Sequence, residues 1–334
     1  MLKIALLCGG LLASSCSFAW GPRGHEYSGA IADALLTPHA KAQVHKLLGF
    51  PLKTAATWAD CVKDVQMAGS QLKYLPDPKY HQACKTFETS QGKAEMIDYV
   101  GRNWNNCSSD PKTKACHKEY HFTDVAVQHG HYSRDFVGTS DHDIVSAINA
   151  AIAVLQGLPT PPPFNIRDKR EAILMLAHFI GDLHQPLHVG AIYLDSQDQP
   201  VNPDHPPSSH NPATDTRGGN SIDVGSSNLH ADWDNVLKTL NPDAIDPKII
   251  AKAKALPQPT GQIADWAAHW AGDTVKQSQK AFEGISYTHP GTKGKWKASF
   301  EDRKGYNTAK RRAQQLQLEK AGAHLATVLN EVFK

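Results

Sequence analysis

Long apolar runs are missing from this chain. None reaches the ~20 residues that a membrane-spanning helix needs, so no membrane span is expected. A charge excess is missing too: 35 Lys and Arg stand against 33 Asp and Glu, a net charge of +2. That balance excludes a nucleic-acid binder working through bulk charge alone, and also an acidic solvating tail. Internal repeats are absent, and at 40% hydrophobic residues the chain is not a disordered one. Histidine is unusually frequent. Its 18 copies in 334 residues point to metal or proton chemistry.

Residues 1–19 read as a targeting segment. Lys3 supplies a positive start, Ile4–Leu12 an apolar stretch, and Ser17-Phe18-Ala19 the small residues preceding a cut before Trp20. Ser14-Ser15-Cys16 offers a competing cut before Cys16, but the leucine ahead of it lies one residue too far upstream. The expectation is a secreted or periplasmic protein. Cys8 and Cys16 would leave with the leader, so Cys61, Cys84, Cys107 and Cys116 remain of the 6 cysteines. Four cysteines in an exported chain imply two disulfides with three connectivities. The pairing stays open, with Cys84–Cys107 and Cys61–Cys116 as the expected choice.

Helical spacing dominates the rest. Helices are expected over 23–36, 38–48 (closed by Gly49), 141–156 (capped by Asp141), 172–183 (capped by Asp168 and stopped by Pro186), 245–255, 263–282 and 306–333. The segment 172–183 is apolar on nearly every face, which marks a central buried helix. Residues 76–117 read as an irregular, disulfide-pinned addition, 158–164 as a proline linker, 195–216 as a long loop, and 221–224 as a short strand. A single, mainly α domain over 20–334 with a short β-hairpin and long loops is the simplest architecture.

The chemistry concentrates in five segments. In His178-Phe-Ile-Gly-Asp182-Leu-His184-Gln-Pro-Leu-His188, His178 and Asp182 stand four apart and share a helix face. Ionisable groups in the most apolar helix need compensation, and a divalent cation supplies it. The alternative is a hydrogen-bonded core His–Asp pair, which explains one pair but not three imidazoles and a carboxylate within eleven residues. His230 and Asp234 repeat the spacing, with Trp233 as a packing neighbour. Trp58-Ala-Asp60 and Tyr120-His121-Phe122-Thr-Asp124 are weaker: Asp60 also suits a helix cap, and Asp124 a turn. Trp20 to His25 follows the expected cut, where a free amino group and its own carbonyl can chelate a metal.

In their order and spacing these five segments resemble the zinc-dependent single-strand-specific nucleases of fungi and the bifunctional nucleases of plants, which share a fold with bacterial zinc phospholipases C. The resemblance runs from Trp20 to the C-terminal helix. It implies three zinc ions: the first on Asp60, His121, His178 and Asp182, the second on Trp20, His25 and Asp182, the third on His188, His230 and Asp234. It implies hydrolysis of single-stranded DNA and RNA to 5′-phosphorylated products by a zinc-activated water, with 3′-nucleotide hydrolysis alongside. Asp124 would orient the water. Gly218, Gly219 and Asn220 would bind a base, with Phe122 stacking on it; the alternative is a tight turn and core packing. His184 has no ligand role in the pattern and is read as a supporting or rim residue. His39, His45, His129, His142 and His269 are expected at the surface, and a monomer with no stable protein partner is implied.

Two departures stand out. Asp60 and His121 lie much farther apart than in the fungal enzymes, which makes 76–117 an addition, and the 189–217 loop is also longer. Both put substrate preference in question more than chemistry. Two rivals remain: a zinc phospholipase C, and a non-enzymatic exported zinc-binding protein. Asp234 where those lipases place Glu speaks against the first. Dispersed ligands mixed with carboxylates speak against the second.

Overall fold

The computed structural model describes residues 20–78, 80–107, 115–205, 211–225, 227–289 and 296–334. The expected leader, residues 108–114 of the 76–117 segment and residues 206–210 of the long loop lie outside the described residues. Among the described residues twelve α-helices follow in order: α1 (Gly21–Leu35), α2 (Pro38–Leu48), α3 (Leu52–Ala55), α4 (Trp58–Val62), α5 (His81–Cys84), α6 (Ser90–Arg102), α7 (Ile144–Leu155), α8 (Lys169–Leu183), α9 (Leu229–Asp234), α10 (Pro247–Lys254), α11 (Ile263–Phe282) and α12 (Arg303–Val332). β-Structure among the described residues is limited to sheets of two or three short strands. The fold is mainly α, as expected.

Helix α8 is the axis. Asp168 caps it by accepting the Glu171 amide at 2.9 Å, and every residue from Glu171 to Leu183 is buried. Its apolar side chains share one core with α2, α3, α4, α6, α7 and α11. Burying such a side chain contributes about 1.5–3 kcal/mol, which is the reservoir that offsets the ionisable groups α8 also carries. Helix α12, about 45 Å long at 1.5 Å per residue, packs along α1, α8 and α10. Gly322 permits the approach to α1: a Cβ there would lie 2.6 Å from Ile31 Cβ.

Several expectations are corrected. The 76–117 segment is not irregular; it contains α5, the 3₁₀ turn Lys85–Phe87 and the 13-residue α6. Helix α6 buries only Met96, Tyr99 and Val100, a narrow stripe that leaves its sequence reading as polar. It is tied to α8 by Arg102 Nη2 on Glu171 Oε2 at 2.7 Å. The cap of α7 is Asp143, not Asp141, and accepts the Ser146 amide at 3.0 Å. The strand at 221–224 is the pair Ile222–Asp223, which joins Trp296–Phe300 in parallel. The hairpin Val65–Ala68 with Gln71–Tyr74 turns at Gly69, whose φ of 67° suits glycine.

The disulfides also differ from expectation: they are Cys61–Cys84 and Cys107–Cys116. Cys84 ends α5, which packs on α4 beside Cys61. The 13 residues of α6 span about 20 Å and carry Cys107 away from Cys84. Cys116 lies nine residues after Cys107 and closes a local loop instead.

Candidate metal centre

Helix α8 delivers His178 and Asp182 to one face, and both are fully buried. His178 Nδ1 lies 2.7 Å from the Ala56 carbonyl. A carbonyl only accepts, so that nitrogen carries a proton, and in the neutral imidazole Nε2 is bare. The bare Nε2 lies 3.1 Å from Asp182 Oδ2 and 3.6 Å from Asp60 Oδ1. From α1, His25 stacks on His178 with ring centroids 3.8 Å apart, and its Nε2 lies 3.2 Å from Asp182 Oδ1. From the 3₁₀ helix Cys116–His121, His121 Nδ1 comes within 2.9 Å of Asp182 Oδ2. Neither His25 nitrogen has a hydrogen bond, nor do His178 Nε2, Asp182 Oδ1 and Asp60 Oδ2. Trp20 is held against the same helix: its indole donates to the Gly181 carbonyl at 2.8 Å.

The electrostatics express this crowding. Burial, then the neighbouring His178, depresses the His25 imidazole. Burial, then Lys63, holds His121 well below its usual range. Burial also pulls His178 down, but Asp182 and Asp60 outweigh it, and its proton affinity ends raised. Burial pushes Asp182 up; the imidazoles of His178 and His188 and the hydrogen bonds to it reverse this and hold it well below the carboxylate norm.

A second group lies beyond the end of α8. Pro186 opens the 3₁₀ turn Pro186–His188, and His188 Nδ1 lies 2.7 Å from the His121 carbonyl. Helix α9, capped by Asn228, supplies His230 and Asp234. His230 Nδ1 lies 2.8 Å from the Gly218 carbonyl. Both Nδ1 atoms therefore donate, and the two Nε2 atoms face each other bare at 2.9 Å. Asp234 Oδ2 stands 3.8 Å from His230 Nε2, and its Oδ1 accepts from Gln185 Nε2 at 2.6 Å. Burial drives Asp234 well above the carboxylate norm, a shift that a cation would reverse. Three groups could thus hold a metal ion: His25 with His178 and Asp182; Asp60 with His121 and His178; His188 with His230 and Asp234. A further grouping of Cys107, Glu119 and His142 offers no thiolate, because Cys107 is in a disulfide.

The S1/P1 nuclease family model matches this chain over residues 20–115 and 102–334. The chain belongs to the S1/P1 nuclease family. The family is zinc-dependent, and the break in the match falls inside the 76–117 segment. Endonuclease 2 of Arabidopsis thaliana is 26% identical over 97% of this chain and 93% of its own length. Endonuclease 1 of the same plant is 31% identical over 37% of this chain and 32% of its own length. This S1/P1 nuclease has no helix, among the described residues, long and apolar enough to cross a membrane.

The other expected site residues lie around these groups. Asp124 is buried; burial, then Asp215, drives its carboxyl well up, and Arg217 opposes. Its neighbour Thr123 donates its amide to the His188 carbonyl at 2.9 Å. Phe122 is 38% exposed, so it is not core packing. Gly218 is a structural necessity: at φ 54°, a Cβ would come 2.1 Å from the Leu187 carbonyl. Gly219 follows at φ 82°, and Asn220 is half-buried. His184 is not at a rim. It is buried, donates from Nδ1 to the Ile180 carbonyl at 2.8 Å, and accepts from His324 at 2.8 Å. His39, His45 and His269 are at least partly exposed; His129 and His142 are half-buried against Asp204 and Glu119.

Sequence reasoning missed Lys63 and Gln185. Lys63 Nζ sits buried 2.8 Å from Asp60 Oδ1. Its spacing of three from Asp60 on a short helix was the available signal. Gln185 joins Asp234 through Nε2 and takes the Leu187 amide on Oε1 at 2.5 Å, and only the assembled fold reveals that bridge.

Proposed function

We propose that the protein is an exported zinc-dependent endonuclease that hydrolyses phosphodiester bonds of single-stranded DNA and RNA. The products carry 5′-phosphates, and 3′-nucleotide hydrolysis accompanies the main activity. One observation carries the metal reading: His188 and His230 aim bare Nε2 atoms at each other across 2.9 Å. Two lone pairs at that distance repel, and a cation between them turns repulsion into ligation. The unpartnered atoms of His25, Asp60, His178 and Asp182 point the same way. Nitrogen and carboxylate donors without thiolate suit zinc with open positions.

The assignment is three ions. Asp60, His121, His178 and Asp182 would hold the first; the Trp20 amino nitrogen and carbonyl, His25 and Asp182 would hold the second; His188, His230 and Asp234 would hold the third. The Trp20 indole on Gly181, one residue from Asp182, supports the N-terminal part. When bound, zinc supplies Lewis acidity and lowers the pKa of water toward neutrality.

The chain's own residues do the rest. A carboxyl oxygen of Asp124 accepts a hydrogen bond from the attacking water and fixes its line of approach. Lys63 sets a positive charge beside Asp60. The exposed ring of Phe122 offers a stacking platform for a base, and the Asn220 amide meets a base edge. The water oxygen bonds to phosphorus as the bond to the 3′-oxygen breaks, the departing oxygen takes up the proton that the water gives up and leaves as a hydroxyl, and the phosphate stays on the 5′ side. End-group analysis of cut single-stranded DNA and RNA tests this. The expected ends are 5′-phosphate and 3′-hydroxyl; 3′-phosphate ends, or phosphocholine release from lipid micelles without DNA cleavage, would overturn it.

A further inference from the structure

The turn that carries Gly218 also carries an unexplained cation. Arg217 adopts φ 54°, a left-handed conformation that a side-chain-bearing residue rarely takes. Its backbone is held there on both sides. The Arg217 amide donates to Asp215 Oδ1 at 2.7 Å; its carbonyl accepts from the Asn220 amide at 3.0 Å and from Asn220 Nδ2 at 3.0 Å. The side chain, by contrast, is exposed and makes no hydrogen bond or ion pair with a described residue. It stands at a particular place. The next residue's carbonyl orients His230, and on the other side the Arg217 charge is felt by the Asp124 carboxyl. Lys63, in contrast, is buried against Asp60.

We infer that Arg217 is a specificity-determining residue: its guanidinium grips a phosphate of the substrate strand next to the scissile one, and so favours polynucleotides over minimal substrates. The inference rests on the endonuclease reading above. A chain with a net charge of +2 has no bulk attraction for a polyanion, so local cations at the rim must supply it. A guanidinium is suited to the task because it stays charged and can meet phosphate oxygens in a fork. The backbone hydrogen bonds leave the side chain free for this contact.

The test compares Arg217→Gln with the wild-type zinc-loaded protein on two substrates. One is a single-stranded oligonucleotide. The other is a dinucleoside monophosphate, which carries only the scissile phosphate. Losing one contact to a single strand should lower the slope of log kcat/KM against log salt by about 0.7. A fourfold rise in salt should then penalise the wild type about 2.6-fold more than the variant. The salt slope of the dinucleotide and the zinc content should not change, and Arg217→Lys should restore most of the oligonucleotide slope. An unchanged oligonucleotide slope would overturn the inference, as would an equal loss on both substrates. Failure of the nuclease reading itself would look different: the wild type would cut neither substrate.

Discussion

The two ends of the buried polar seam are built by different means. At one end, His178 and Asp182 ride on α8, all of whose residues from Glu171 onward are buried. His178 is further fixed by its bond to the Ala56 carbonyl. At the other end, His188 sits on a three-residue 3₁₀ turn and His230 and Asp234 on a six-residue helix. A helix that short is not stable alone, and it is braced from outside. On α12, Lys310 Nζ donates to the Asp232 carbonyl at 3.0 Å and Gln314 Nε2 to the Trp233 carbonyl at 2.6 Å. The α8 end is therefore preformed by a core helix, while the α9 end depends on hydrogen bonds borrowed from a distant one.

Asp182→Asn should have the largest effect, and it should fall on the α8 end. Three imidazoles converge on that carboxylate, and an amide is a poor bridge between cations. Zinc content should fall by about two ions per chain, and nuclease activity by more than about 100-fold. A variant that retains full metal and turnover would remove Asp182 from its central role. Next comes the Cys61–Cys84 bridge, which adjoins Asp60. Its 23-residue separation is worth about 3.4 kcal/mol by loop entropy, against about 2.6 kcal/mol for the nine residues of Cys107–Cys116. Paired serine variants should show that order in denaturant midpoints, and the first pair, which adjoins Asp60, should weaken metal retention at the α8 end more than the second.

Acid gives a third handle. Burial lowers His184 to about 4 and His117 to about 3, from 6.5 in the unfolded chain. Below that unfolded value the unfolded state takes up protons that the fold refuses. The stabilisation is therefore complete above about pH 6.5 and is lost as pH falls. Each residue should cost about 2 kcal/mol by pH 5, and His117→Phe should flatten that part of the pH profile of Tm. The smallest expected effect belongs to the brace. Gln314→Leu should cost about 1 kcal/mol and weaken zinc at His188, His230 and Asp234, leaving the α8 end unchanged in a metal titration.

Legibility from sequence follows the same division. The spacing of His178 from Asp182, and of His230 from Asp234, is local and can be read directly. So can the central helix, because a helix apolar on every face must be surrounded by other apolar elements. The braces cannot, since Lys310 and Gln314 lie about eighty residues from the carbonyls they hold. Helix α6 is hidden because three buried side chains leave too thin a stripe to register as periodic. The disulfide pairing is hidden for a related reason: it depends on where α6 carries Cys107. The cap of α7 is displaced by two residues from its expected place because Asp141 and Asp143 both precede the apolar run and only the backbone distinguishes them.

Native mass spectrometry of the mature protein under stepwise chelation tests the three-ion, two-ended centre most directly. Three zinc ions per chain are expected. The one at the α9 end should leave first, followed by the two that share Asp182. Fewer than three ions in the untreated protein, or loss of the α8 ions ahead of the other, would contradict it.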